Sequence, residues 1–239
     1  MPKPRASWQP APHEPIEKLS ENLWWVRGPI PGVSIRRCMT IARLADGRLL
    51  VWSAMPLDEP SMQELESWGK PAFLVVPSAL HRLDAAAFKA RYPDLGVYCP
   101  RGARKAASEV VPVDGLLEEF PSDAHVSFRP LRGIKDKEGA MLVRSREGTT
   151  VVLNDALFNM PMPRDFPESL IVKMLGSAPG PRISRVVKLL WMSDKSAFRE
   201  SLRELSEISD LARVIVAHDS PISGPAAREA LKSAVEQLA

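Results

Sequence analysis

The sequence contains few cysteines, and their placement excludes two classes of small-domain architecture. Its two cysteines, Cys38 and Cys99, lie in separate apolar runs, and the Cys-x-x-Cys pairs that zinc ribbons require are missing. A disulfide framework requires more cysteines than these. Because unpaired buried thiols are typical of reducing compartments, we expect both cysteines to be free and the protein to be cytoplasmic.

Long hydrophobic runs are also missing. No segment reaches the roughly 18 consecutive apolar residues that a membrane-spanning helix needs. Residues 1–15 contain several prolines but no apolar stretch of the kind found in secretory signal peptides. The sequence therefore predicts a soluble protein without a membrane partner, in which residues 1–15 form a flexible arm.

The chain has no large excess of charge of either sign. It carries 32 Lys and Arg against 29 Asp and Glu, a formal net charge of +3, and the two signs are interspersed. Because no basic run contains interleaved aromatic residues, we expect no nucleic-acid partner. Phosphate-binding glycine loops, dinucleotide fingerprints and Gly-x-Ser-x-Gly motifs do not occur either, so the common signatures of nucleotide-dependent and serine-dependent enzymes are missing.

What remains is an ordinary globular composition. With 239 residues, of which 45% are hydrophobic and 26% charged, the chain can bury a substantial core. The predicted connections are short and no linker interrupts them. We therefore expect residues 16–239 to form a single domain.

The first third of the chain is predicted to form antiparallel strands. The apolar runs Arg37–Leu44 and Leu49–Met55 flank an Asp46-Gly47 turn, and an Asp-Gly pair in that position is a strong hairpin signal. Beyond the hairpin, short strands alternate with helices, the first of which is predicted over Asp58–Lys70.

Two sheets of mixed strand direction account for this order of elements. Because each apolar sheet face must be buried against another element, we expect the sheets to pack face to face with helices outside, an αββα sandwich of the α/β class. The last two predicted helices are an amphipathic one over Asp194–Ile208 and one that begins at Pro225, a favourable first helical residue.

Residues 160–193 interrupt the alternation of strands and helices. They contain five prolines and two apolar patches, Leu170–Leu175 and Ile183–Trp191. Such patches are more apolar than an exposed segment usually is. We expect this insertion to serve partly as a lid over a site and partly as a contact surface, with a homodimer through residues 160–193 as one form of that contact.

Metal-capable side chains stand at the ends of three apolar strands. Asp155 ends one strand, His218 ends another, and His81 closely follows a third. Carboxylate and imidazole are ordinary ligands of zinc and iron, and strand ends beside loops are where such groups converge.

These residues belong to five sequence blocks that carry a family resemblance over about residues 17–237. The blocks are Arg37–Leu44, Asp46–Ser53, Val76–Arg82, Asn154–Asn159 and Ile215–Asp219. In order and spacing they resemble metallo-β-lactamase-fold hydrolases, most closely a branch of that superfamily known as a domain of unknown function. The resemblance implies the same αββα sandwich.

In this family a His-x-His-x-Asp-His loop supplies most of the metal ligands, and later strand ends add a His, an Asp and a last His. The resemblance places His81 at the second His of that loop, Leu83 at its Asp and Asp84 at its final His. Asp155 and His218 match the later Asp and the last His. The loop is therefore degenerate in this chain.

Two further positions of the family pattern lack an imidazole. The first His of the loop corresponds to Ala79, and no His occurs over Gly133–Gly139, where the resemblance places the middle one. A two-metal site, and with it two-zinc lactamase activity, is therefore not expected.

The remaining residues predict a site for a single ion of zinc, iron or manganese. His81, Asp155 and His218 would bind it, with Asp84 as a fourth candidate ligand, and positions would stay open for substrate. A water bound to such an ion has a pKa of about 7 and is a strong nucleophile, so the resemblance implies a metal-dependent hydrolase of an unknown small molecule.

A metal-free pseudoenzyme that acts as a binding or structural protein is the alternative. In that interpretation His81 bonds a backbone carbonyl, Asp155 caps the turn that follows it, and His218 braces its loop. Ser53 ends the strand of the first hairpin, but without a neighbouring His in the sequence it carries no signature of a nucleophile.

Overall fold

Two β-sheets packed face to face form the centre of the protein. The computed structural model describes residues 3–239, and within that range helices cover the outer side of each sheet. The predicted αββα sandwich is therefore confirmed. None of the helices in this range is both long and apolar enough to cross a bilayer.

The first sheet changes from antiparallel to parallel pairing at its centre. Its strands lie in chain order: β1 (Glu17–Ser20), β2 (Leu23–Ile30), β3 (Val33–Arg43), β4 (Leu49–Trp52), β5 (Pro71–Val75), β6 (Gly96–Cys99) and β7 (Gly115–Leu116). Strands β1 to β4 pair antiparallel, and β4 to β7 pair parallel. The predicted hairpin joins β3 to β4, with Gly47 at φ 86° in its turn.

Helical crossovers make the parallel pairing possible, because parallel neighbours cannot be joined by a tight turn. The helices after β4, β5 and β6 are α1 (Glu59–Trp68), α2 (Ala85–Arg91) and α3 (Arg104–Ser108). Helix α1 begins where the sequence predicts it, since the Asp58 side chain accepts a hydrogen bond from the Ser61 backbone nitrogen at 3.0 Å.

The second sheet contains β8 (Val126–Pro130), β9 (Gly139–Ser145), β10 (Gly148–Val152), β11 (Leu211–Ile215) and β12 (Ile222–Ser223). Its spatial order is β12-β11-β10-β9-β8, and only β10 and β11 pair parallel. The helices of this half are α4 (Glu168–Leu175), α5 (Lys195–Ser206) and α6 (Pro225–Glu236), and a π-helical turn covers Val187–Trp191.

Alternating side chains on the strands form three separate layers of core. Trp25 and Trp52 face the space between the sheets, where they meet Val152 and Ile215 of the second sheet. Their neighbours face outward, because successive strand residues point to opposite faces. The outward side chains of the first sheet pack on α1 and α2, and those of the second sheet pack on α5 and α6.

The segment before β1 lies along the first sheet's helices. The Trp8 ring is 4.9 Å from that of Phe88 on α2, and the Arg5 backbone nitrogen donates to the Leu83 carbonyl at 2.7 Å. These contacts bring the Arg5 side chain close to the loop that precedes α2.

Both parallel pairs end at the same side of the sandwich. In the first sheet β4 leads into Ser53 and β5 into the loop that carries His81, while in the second sheet β10 leads into Asp155 and β11 into His218. The space beyond the carboxyl ends of parallel strands is where α/β proteins commonly bind ligands.

Candidate metal centre

Three of the four predicted site residues meet at this end of the sandwich. The ligand atoms of His81, Asp155 and His218 all lie within 4.8 Å of one another. Asp155 Oδ1 is 3.1 Å from His81 Nε2 and 3.5 Å from His218 Nε2. The residues come from both sheets and are brought together only by the fold.

Each imidazole is held by a hydrogen bond at the ring nitrogen that faces away from Asp155. His218 Nδ1 lies 2.7 Å from the Arg36 carbonyl oxygen, and His81 Nδ1 lies 3.1 Å from Ser53 Oγ. Because a carbonyl only accepts, His218 carries a proton on Nδ1. In the neutral ring the lone pair then lies on Nε2, which points toward the other two residues.

Stacking also fixes the His218 ring. The Phe158 ring lies over it at a centroid distance of 5.4 Å with an interplanar angle of 10°. The ring is therefore held by a carbonyl at its edge and an aromatic ring on its face.

The Asp155 carboxylate is buried and ionised. Its Oδ2 accepts a hydrogen bond from Ser78 Oγ at 3.2 Å, which leaves Oδ1 for the two imidazoles. Burial by itself raises the pKa of Asp155, but the two imidazoles beside it hold that pKa far below its ordinary value. Burial lowers the pKa of His218, yet the contact with Asp155 outweighs this and raises it.

Glu138 supports the loop that presents Asp155, a role that the sequence did not suggest. Its buried carboxylate accepts three backbone N–H hydrogen bonds, from Asn154 at 2.6 Å, Asp155 at 2.7 Å and Ala156 at 2.9 Å. Burial and the nearby Asp155 charge raise the pKa of Glu138 well above its ordinary value. The one available signal was its position, because Glu138 stands in the stretch where the family pattern has its middle His.

The structure does not bring Asp84 to the other three residues. Its fully buried carboxylate pairs with Arg5 Nη2 at 2.7 Å and with Arg37 Nη1 at 2.6 Å. Burial lowers the pKa of Arg37, and the Asp84 charge opposes that effect. Asp84 therefore neutralises two guanidinium groups beside the site, and the group of convergent ligand atoms forms without it.

In the folded protein Ser53 lies next to a histidine, His81, although no histidine is near it in the sequence. Its Oγ contacts Nδ1 of His81, whose Nε2 contacts Asp155, so hydroxyl, imidazole and carboxylate form one hydrogen-bonded series. The Ser53 backbone has φ 61°, in a region that residues other than glycine seldom adopt and that is often found at functional sites. The contact spans 28 positions of the chain, so local sequence could not reveal it.

A cavity of about 470 Å³ opens onto these residues. Asp155, His81, His218, Ser53 and Arg37 lie in its wall, which is otherwise mostly apolar. The insertion at residues 160–193 supplies much of the apolar wall through Ile171, Val172, Leu175, Val186, Val187 and Trp191. A ligand in the cavity would therefore contact apolar side chains with its body and the polar group with one end.

The distances from Asp155 to the two imidazoles fit a small metal ion. In a tetrahedral site with bonds of about 2.0–2.1 Å, two ligand atoms are about 3.3 Å apart. The two Asp155–imidazole distances, 3.1 and 3.5 Å, bracket that value. Two imidazoles and one carboxylate are also a donor set that zinc and non-haem iron use with open positions.

Solved structures of metallo-β-lactamases match nearly the whole chain. The metallo-β-lactamase from Erythrobacter litoralis has a TM-score of 0.61 and 12% sequence identity, over 93% of this chain and 96% of that one. The one from Hirschia baltica has a TM-score of 0.57 and 13% identity, over 94% and 98%. The enzyme FIM-1 from Pseudomonas aeruginosa, in its mono-zinc form, has a TM-score of 0.60 and 11% identity, over 95% and 96%.

The protein therefore has the metallo-β-lactamase fold, as the sequence blocks predict, although its sequence is only 11–13% identical to those of these structures. No family model matches the chain, and neither does any curated protein sequence. On this fold, His81, Asp155 and His218 form a candidate metal centre at the carboxyl ends of the parallel strands.

Proposed function

We propose that this protein is a hydrolase that uses a single metal ion held by His81, Asp155 and His218. The observation that carries the proposal is the orientation of the two imidazoles. Both direct Nε2 toward Asp155 Oδ1, and both bond a neighbouring group through Nδ1. This is how metal-binding histidines are usually held, with the second nitrogen bonded to an oxygen that fixes the ring and its tautomer.

The residues around the ligands would keep the site rigid. Ser53 Oγ and the Arg36 carbonyl orient the rings, Ser78 holds the second oxygen of Asp155, and Glu138 holds the Asp155 backbone. Zinc, iron or manganese bound there would supply Lewis acidity and a water of lowered pKa. Because these four groups hold the ligands in position, the site would bind its ion with a fixed geometry.

The apolar cavity wall favours a substrate with an apolar body and one reactive polar bond, such as an ester of an apolar acyl group. Ile171 and Trp191 would contact the body, and the bond to be cleaved would lie beside Asp155. We include no second ion, because Ala79 and Leu83 stand at two ligand positions of the family pattern and neither offers a ligand atom. The mono-zinc form of FIM-1, a property of that protein, is a precedent for one ion on this fold.

The decisive experiment measures the metal content of the purified protein by plasma mass spectrometry. We expect about one equivalent of zinc, iron or manganese, and we expect it to be lost in His218→Ala. The matched control is His125→Ala, which removes a His that lies near the Arg43 carbonyl and outside the group of ligand atoms. Circular dichroism would show that both variants remain folded.

Metal that is absent from the folded wild type, or retained in His218→Ala, would reject the proposal. In that event the metal-free binding or structural protein becomes the leading interpretation. If the metal is present, the loaded protein should be tested against esters and phosphoesters, and its turnover should fall with the metal content.

A second candidate function rests on the hydrogen-bonded series of Ser53, His81 and Asp155. With its proton on Nε2, His81 would donate to Asp155 and accept the Ser53 hydroxyl hydrogen at Nδ1. A nucleophile, a base and an orienting acid in contact are the parts of a covalent acyl-transfer site. Metal binding needs the opposite tautomer, with the lone pair on Nε2, so the two functions exclude each other at any one moment.

A fluorophosphonate, which reacts with activated serine hydroxyls, distinguishes the two candidates when applied to chelator-treated protein. Serine catalysis predicts stoichiometric labelling that Ser53→Ala abolishes and Ser177→Ala preserves, since Ser177 also lines the cavity. Metal catalysis alone predicts no labelling of either hydroxyl.

A further inference from the structure

Most of the exposed large apolar side chains lie in one segment of the chain. Of the nine such residues within the described range, seven fall between residues 160 and 193. Phe166 and Leu189 are the most exposed, at 79% and 77%. Large apolar patches of this kind usually mark a surface that meets a partner.

Helix α4 has its apolar residues on the outside. Leu170, Ile171, Met174 and Leu175 are all exposed, whereas Val172 is the buried residue of the helix. Residues four apart share one helix face, so Leu170 with Met174 and Ile171 with Leu175 form two adjacent apolar ridges. A helix that packed only within the protein would bury these ridges instead.

The π-helical turn Val187–Trp191 belongs to the same surface. Arg185 Nη1, just before the turn, donates to the Met174 carbonyl at the end of α4, at 2.9 Å. Ile171 of α4 and Trp191 of the turn line the same cavity. Helix α4 and the turn that carries Leu189 and Leu190 therefore both border this cavity.

The excess of positive over negative charge in the chain also lies in this segment. Residues 160–193 contain five Lys and Arg against two Asp and Glu, a net charge of +3. The whole chain also has a net charge of +3, so the remaining residues carry 27 charges of each sign. The five cationic residues are Arg164, Lys173, Arg182, Arg185 and Lys188.

Two of these cationic side chains bond backbone carbonyls. Arg185 Nη1 donates to the Met174 carbonyl at 2.9 Å, and Lys188 Nζ donates to the Gln237 carbonyl at 3.2 Å. Lys173 is exposed on α4, on the side of Leu170 that faces away from Ile171. The surface thus combines projecting apolar side chains with an excess of positive charge.

We infer that this cationic apolar surface, the exposed side chains of residues 164–190, docks the protein on an anionic lipid bilayer. Apolar side chains inserted among acyl chains and Lys or Arg beside anionic headgroups are the two contributions that hold interfacial helices on membranes. A bilayer provides both acyl chains and anionic headgroups over a broad area. This inference differs from the prediction of no membrane partner, which rested only on the lack of a spanning helix.

Charge argues against a second copy of the chain as the partner. A symmetric dimer would place the same surface of each copy against the other, and so would bring +3 against +3. A bilayer would instead lie against the cavity opening, so a ligand with an apolar body could pass from the lipid to Asp155 and its neighbours without crossing water.

Vesicle sedimentation tests the inference with the full-length protein. The probes are vesicles of phosphatidylcholine alone and vesicles of phosphatidylcholine and phosphatidylglycerol in equal parts. We expect binding to the mixed vesicles that weakens as salt is raised, because the charges of the surface are exposed to solvent. Binding to phosphatidylcholine alone should be much weaker.

Two kinds of variant separate the contributions. Lys173→Glu should lower the partition coefficient on mixed vesicles at least fivefold, the effect of removing one positive charge near the membrane surface. The matched control Lys70→Glu, at the opposite end of the parallel strands, should leave it unchanged. The double variant Leu189→Ser with Leu190→Ser alters two exposed side chains and should reduce binding without affecting folding.

Several results would overturn the inference. They are no sedimentation with mixed vesicles, equal binding to neutral vesicles, equal effects of Lys173→Glu and Lys70→Glu, or a dimer in light scattering that the double leucine variant dissociates. The test is independent of the proposed metal site, because His218→Ala should bind vesicles as the wild type does even when it has lost its metal.

Discussion

The carboxylate of Glu138 lies 2.7 Å from the backbone nitrogen of Asp155 and also accepts hydrogen bonds from the residues on either side of it. A buried acid thereby satisfies three successive backbone N–H groups in the loop after β10. The direction of the Asp155 side chain depends on this loop. Glu138 is therefore a positioning residue for the candidate site.

Replacing Glu138 should destabilise the protein strongly. In Glu138→Ala three buried N–H groups lose their acceptor, and we expect a loss of about 3–5 kcal/mol in the free energy of unfolding, measured in urea. Glu138→Gln keeps the shape and one acceptor oxygen, so it should lose less. The control Glu204→Ala removes an exposed ion pair with Arg132 and should change stability by about 1 kcal/mol or less. Equal effects of Glu138→Ala and Glu204→Ala would contradict this account.

Addition of a metal should raise the thermal stability of chelator-treated protein. Because a ligand that binds only the folded state stabilises it, saturation at a hundredfold excess over Kd is worth about 2.7 kcal/mol. Asp155→Asn removes the charged ligand and should abolish the increase in Tm. Asp46→Asn, on the exposed hairpin turn, should retain it. A Tm increase in Asp155→Asn as large as in the wild type would place the ion elsewhere.

Asp84 should matter for stability and not as a metal ligand. Asp84→Asn leaves Arg5 and Arg37 without their common counter-charge in a buried place, and loss of one partner from a buried pair costs about 3–5 kcal/mol. The comparison variant is Asp94→Asn, whose side chain is 92% exposed. In urea unfolding, Asp84→Asn should have a clearly lower free energy of unfolding than Asp94→Asn. If Asp84→Asn instead stays fully stable but loses a bound metal, our assignment of Asp84 is wrong.

The two thiols should be unreactive in the folded protein. Burial raises the pKa of Cys38 well above its ordinary value and that of Cys99 to about 11. At pH 8, below both pKa values, the protonated form predominates, and the thiolate is the reactive species. We expect slow reaction with a disulfide reagent in native buffer and rapid reaction of two thiols in denaturant. Fast stoichiometric reaction of the native protein would show that one thiol is accessible.

Local sequence predicted the elements whose determinants are also local. The Asp46-Gly47 turn predicted the hairpin of β3 and β4. The helix predicted to begin at Asp58 is capped by that residue, and it ends two residues before the predicted Lys70. The αββα arrangement followed from the order of strands and helices together with the family resemblance. Each of these depends on neighbours in the chain or on a pattern repeated along it.

The site was only partly predictable, because its remaining contacts join distant parts of the chain. The three convergent ligand candidates were found from strand ends and from the resemblance. Ser53 meets His81 across 28 positions, and Arg5 meets Asp84 across 79. Asp84 pairs with two guanidinium groups, those of Arg5 and Arg37. The contact with Arg5 could not be predicted from a single sequence.

The origin of the ligands has a consequence for how the protein assembles. His81 comes from the first sheet, whereas Asp155 and His218 come from the second. Neither half of the chain can chelate an ion with all three groups until the halves have docked. Metal uptake would therefore follow the docking of the two halves. The bound ion would then stabilise the contact between them.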